Sequence, residues 1–80
     1  MKTIQVRYYA LLREQAGRSA ESVTTDAKTP AALFVELKAR YPFTLDTQQL
    51  KVAINTEFRE WQTELKEGDN VVFIPPVAGG

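Results

Sequence analysis

The chain ends FIPPVAGG, from Phe73 to Gly80. A diproline, a small spacer and two final glycines are the residues here whose types and spacing best suit chemistry. Glycine lacks Cβ, so its backbone can enter a channel too narrow for any other residue. The carbonyl of Gly80 is correspondingly the least hindered acyl carbon a chain can present. Pro75 and Pro76 favour an extended polyproline conformation, which would hold the tail away from the domain at low entropic cost. A free α-carboxyl has an ordinary pKa of about 3.3–3.7, so at neutral pH it is an anion and a poor electrophile. Converted to a mixed anhydride with AMP, the same group becomes an acyl donor. Nitrogen attack would give an amide, and sulfur attack a thioester or thiocarboxylate. The competing reading is a frayed terminus with no chemistry.

The rest of the composition says who must do the activating. There is no cysteine and no histidine among the 80 residues. No disulfide, thiolate or imidazole metal site can form within the chain, and no metal is expected. Thiol nucleophiles and imidazole bases are equally missing. No GxxxxGK[ST] phosphate loop is present. A partner enzyme is therefore implied, with ATP consumed there and no cofactor bound here. Ten basic and ten acidic residues cancel, which leaves no electrostatic footprint for nucleic acid or an anionic membrane. The start, MKTIQVRYYALL, is interrupted by Lys2, Gln5 and Arg7, unlike a signal peptide. No segment approaches the roughly 20 apolar residues that span a bilayer. A cytoplasmic location is expected.

The elements that must hold this tail follow from local patterns. Ile4, Val6 and Tyr8 alternate with polar residues, as a half-buried strand does. ALLREQAG (Ala10 to Gly17) reads as a short helix with Gly17 as a left-handed cap. ESVTT (Glu21 to Thr25) is β-prone and mostly polar, suiting an edge strand. Thr29 and Pro30 are an N-cap and a first helical residue. Leu33, Phe34, Leu37 and Tyr41 then form one apolar stripe, and Pro42 stops the helix. Phe43 to Leu50 has room for a turn of helix. LKVAIN is a third strand, followed by a turn at Asn55 and a short return strand within Thr56 to Trp61. Lys66 to Asp69 is a turn. VVFI (Val71 to Ile74) is apolar on both faces, hence central, and Pro75 and Pro76 end its pairing. The expected fold class is α+β: a mixed sheet with one main helix on one face, the ubiquitin-like β-grasp. Residues 1–74 make the domain and 75–80 the extended tail.

Two separated segments carry a resemblance. GDNVVFIPPVAGG (Gly68 to Gly80) closely resembles the ending of the small subunits of molybdopterin synthase, a family of sulfur carriers, and YALLREQAG (Tyr9 to Gly17) resembles another segment of the same family. The Thr-Pro helix start, the VAIN strand and the length also fit. The resemblance implies that a ubiquitin-activating-like adenylyltransferase adenylates the Gly80 carboxylate, and that sulfur then displaces AMP to leave a thiocarboxylate. The tail, Pro75, Pro76, Val77, Ala78 and Gly79 leading to Gly80, would enter the large synthase subunit and give its sulfur to a cyclic pyranopterin phosphate. In that family two small and two large subunits form a heterotetramer. The chain would be a sulfur-donor subunit, with the catalytic pocket on the large one.

Strand alternation adds a candidate docking surface. If Val71 and Phe73 face the helix, Val72 and Ile74 face away, and Tyr9 and Phe58 can join them beside the tail. The resemblance places Tyr9, Phe58 and Ile74 at partner-contacting positions. The alternative is that they fill a second small core under the 43–49 loop. Arg13 is read as a partner contact or a solvated charge, Glu14 as structural, Trp61 as packing or a hairpin cover, and Asp69 as shaping its turn. Two other functions keep the same fold: a ubiquitin-like modifier joined through Gly80 to lysines, or a sulfur carrier for thiamine, cysteine or tRNA thiolation. A third is an interaction module with an inert tail.

Overall fold

The computed structural model describes residues 1–76, so the expectations for Val77, Ala78, Gly79 and Gly80 lie outside the described residues. The element order is β1 (Lys2–Tyr8), α1 (Ala10–Ala16), β2 (Ala20–Thr25), α2 (Pro30–Arg40), β3 (Lys51–Ile54), β4 (Glu57–Arg59) and β5 (Asn70–Ile74). A three-residue 3-10 turn, Thr47–Gln49, occupies the segment where a helical turn was anticipated.

Local signals behave as their chemistry requires. Thr29 Oγ1 accepts from the Ala32 amide at 3.2 Å, and Pro30 opens α2. The helix stops at Arg40, with Tyr41 extended just before Pro42, because proline disfavours a helical residue before it. Gly17 caps α1 at φ 75° and its amide bonds the Arg13 carbonyl at 2.9 Å, a left-handed position that suits a residue without Cβ. Asp69 shapes the turn before β5 by accepting from the Lys66 amide at 2.8 Å, while its other oxygen accepts from Asn55 Nδ2 at 3.0 Å.

The sheet order is β2-β1-β5-β3-β4, with β5 parallel to β1 and the other pairs antiparallel. β2 is an edge, as its polarity suggests, and the two most apolar strands lie together in the middle. One face packs on α2. Ile4, Val6, Tyr8, Val52, Val71 and Phe73 from the sheet meet Leu33, Phe34 and Leu37 from the helix, with Leu12 of α1 closing one end. Phe43 belongs to this same core, stacked on Phe34 at 5.6 Å. The 43–49 segment therefore lids the main core, and no second core forms beneath it among the described residues.

Strands β3 and β4 are joined by the two residues Asn55 and Thr56, which have φ values of 52° and 72°. Two positive φ values mark a type I′ hairpin turn, matched to strand twist. Asn tolerates that region, but a β-branched residue is strained there. Thr56→Gly should raise stability by about 1 kcal/mol, read as a higher midpoint in urea with an unchanged slope.

Candidate functional site

The site is the end of the sheet where the central strand runs out. The parallel ladder closes with Tyr8 opposite Phe73, and the antiparallel ladder with Lys51 opposite Ile74. Among the described residues nothing pairs beyond, because Pro75 and Pro76 have no N–H to donate. Pro75 is half-buried and Pro76 exposed, so the backbone is leaving the domain at these residues.

Alternation sorts β5 into two sets. Val71 and Phe73 are buried against α2, while Val72 and Ile74 are half-buried on the other face. The register extends that outer face sideways, with Val72 opposite Ala53 and Ala53 opposite Phe58. Phe58 is 69% exposed and Tyr9 45% exposed. Tyr9 directly follows Tyr8, at the same sheet end as Ile74. The register places Phe58 on the outer face with Val72 and Ile74, while Tyr9 caps α1 just after the residue paired with Phe73. Exposed Arg7 and Lys51 flank the outer face, opposite Val72 and Ile74.

Arg13 lies one helical turn beyond Tyr9, its amide on the Tyr9 carbonyl at 3.4 Å. Its exposed side chain makes no hydrogen bond or ion pair among the described residues, and neither does that of Glu14. An Ile74→Lys variant should keep its fold, because Ile74 is on the outer face, and should bind a partner about tenfold more weakly by placing a charge in an apolar contact. Titration calorimetry checks it, and unchanged affinity would remove this face from the docking surface.

Sequence reasoning missed a polar cluster on the inner face. Glu21 of β2 is opposite Val6, which turns its side chain inward at the sheet edge. That side chain is only 8% exposed. Its Oε2 accepts from Tyr8 Oη at 2.6 Å and Tyr41 Oη at 2.7 Å, while Oε1 faces Arg18 at 3.4 Å and Arg40 at 3.9 Å. Burial, and then the hydrogen bond to the Glu21 carboxylate, hold both phenols above the ordinary tyrosine range. The signal was present in the alternation of Glu21, Val23 and Thr25, whose last two members are buried.

Among the described residues no cluster of potential metal ligands exists, and no helix is long and apolar enough to cross a membrane. A five-stranded mixed sheet, one main helix across it and a central last strand leading into the tail define a ubiquitin-like β-grasp protein. More narrowly, the chain belongs to the ThiS family, which matches residues 6–80. It is 35% identical over 80 residues to the molybdopterin synthase sulfur carrier subunit of Escherichia coli (strain K12), a match covering 96% of this chain and 99% of that one. A Pyrococcus furiosus structure, provisionally assigned as molybdopterin converting factor subunit 1, superposes with a TM-score of 0.81 at 29% identity, covering 96% of this chain and 100% of the other. A chain in the complex of subunits 1 and 2 of the molybdopterin-converting factor of Helicobacter pylori 26695 has a TM-score of 0.69 at 22% identity, covering 98% and 99%, a likeness of fold.

Proposed function

We propose that this protein is a sulfur carrier for molybdenum cofactor biosynthesis and the small subunit of a molybdopterin synthase. The observation that carries the reading is full-length similarity to a curated sulfur carrier subunit together with the diglycine ending. An activating enzyme transfers AMP from ATP to the Gly80 carboxylate, releasing pyrophosphate. Hydrosulfide-level sulfur supplied by that system attacks the acyl carbon, forming the C–S bond as the bond to AMP breaks, and leaves a thiocarboxylate. The carrier then docks on a large subunit through Tyr9, Phe58 and Ile74, with Arg13 at the rim, and the tail carries its sulfur to a pyranopterin phosphate in the large subunit's pocket. The Helicobacter complex, one chain of which shares this fold, is a two-subunit assembly of the kind proposed, and a heterotetramer with cytoplasmic location fits the role. The carrier supplies no imidazole base and no side-chain thiol, since it has no histidine and no cysteine.

Intact mass of protein purified from its native cell tests the reading. The expected result is a species heavier by one oxygen-to-sulfur exchange at Gly80. Conjugates carrying a diglycine remnant on lysine would make the protein a modifier. Neither species during active cofactor synthesis would leave an interaction module.

A further inference from the structure

Trp61 is the single tryptophan of the chain, and the docking surface described above does not use it. It follows β4 and is half-buried. Its ring lies nearly parallel to that of Phe73, with centroids 5.9 Å apart and planes at 8°. Phe34 of α2 meets Phe73 at 5.2 Å and 64°, and meets Trp61 at 6.3 Å. Phe73, fully buried, is thus held between a helix ring and a loop ring. The loop is itself fixed. The Trp61 carbonyl accepts from the Ala31 amide at 3.1 Å, and the Leu65 amide donates to the Lys28 carbonyl at 2.8 Å. Trp61 is therefore a strut from the start of α2 to the root of the tail. Its exposed part borders a groove of about 700 Å³ that also reaches Lys51 and Phe58.

The tail leaves the sheet immediately after Phe73 and Ile74, where pairing to both neighbouring strands ends. The direction of Pro75 and Pro76 is then set by side-chain packing at these two residues, since no backbone ladder continues. We propose that Trp61 is a positioning residue: its stack on Phe73 fixes the angle at which the diproline leaves the domain, and so where the acyl group is delivered. The proposal rests on the sulfur-carrier reading. A proline-stiffened tail turns a small rotation at its root into a large displacement at its tip, and misplacing a reacting atom by about 1 Å can cost on the order of 100-fold in rate.

Loaded wild-type, Trp61→Ala and Trp61→Phe carriers should be titrated into sulfur transfer with the large subunit. The expected result is a fall in kcat of about ten- to a hundredfold for Trp61→Ala, with KM for carrier within about twofold, and recovery of most of kcat in Trp61→Phe. In the free protein, residual dipolar couplings of the Ile74 and Val77 amides should change in Trp61→Ala and return in Trp61→Phe, while those of β1 and β3 stay put. A merely structural role would not confine the change to the tail root. A wild-type kcat in Trp61→Ala, a loss carried wholly by KM, or a loss that Trp61→Phe fails to restore would overturn the proposal. If the wild-type protein never loads with sulfur, the functional reading fails and the couplings decide alone. Unchanged values at Ile74 and Val77 in Trp61→Ala then overturn the positioning role.

Discussion

Deletion of Gly80 should abolish sulfur transfer and leave the thermal midpoint where it was. The stability half follows from the fold. β5 ends at Ile74, the core is closed by Phe73, and Pro76 is already exposed. The ladders and the core, as described through Pro76, are complete without Gly80. The activity half follows from length. Truncation leaves a carboxylate on Gly79, chemically similar but drawn back by one residue, about 3.3–3.6 Å of extended chain. A transfer step needs its reacting atoms within a much smaller tolerance, so the loss should exceed about 100-fold. Pyranopterin dithiolene formation with the purified large subunit, beside calorimetry of both proteins, makes the measurement. A truncated carrier that still supports dithiolene formation would sink the mechanism.

Glu21→Ala should destabilise the fold by about 3 kcal/mol, a large fraction of the 5–15 kcal/mol typical of a domain. Its carboxylate is the acceptor for two phenols, one on the central part of the sheet and one at the end of α2. Removing it leaves the fully buried Tyr8 hydroxyl without that partner and two arginines without their counter-ion. An unsatisfied buried donor costs more than the bond it made was worth. Tyr8→Phe combined with Glu21→Ala should therefore cost less than the two single changes added together, a coupling that denaturant titration of the four proteins measures. Additive effects would show that the cluster does not act as a unit. The same cluster fixes a pH dependence. Both phenols titrate above the ordinary value of 10.0 in the folded protein. Above that pH the unfolded chain loses protons that the folded one keeps. Stability is fully present below it and falls as pH rises beyond it. The fall should be shallower in Tyr8→Phe.

Much of this fold was legible because its cues are local. Alternation in β1 and β5, the Thr29-Pro30 start, the Gly17 cap and the proline stops each depend on a few neighbouring residues. Alternation also separated Phe73 from Ile74, and so anticipated which residue faces the core and which lies on the outer face of the sheet. The segment 43–50 was less legible because its apolar residues follow no single period. Phe43 is buried through packing against Phe34 and Tyr8, residues far away in sequence. The expectation that Phe58 joins the exposed outer face is met through the pairing of β4. Its partner Ala53 places it on the outer face, whereas a shift of one residue would turn it inward.

The sequence by itself determined the residue types of the ending: two prolines, a small spacer and two glycines, on a chain without histidine or cysteine. Those are properties of residue types and of their order, and they need no contacts. Only the tertiary structure decided what stands behind the tail. The parallel sense of the β1–β5 pairing sets the start of the last strand beside Gln5 and its end beside Tyr8, in the middle of the sheet. Alternation turns Glu21 inward, but its bonds to Tyr8 and Tyr41 and the stack of Trp61 on Phe73 join different elements, and no local pattern names those partners. They are selected by burial: a carboxylate that must find donors, and rings that cover the last buried residue before the chain departs.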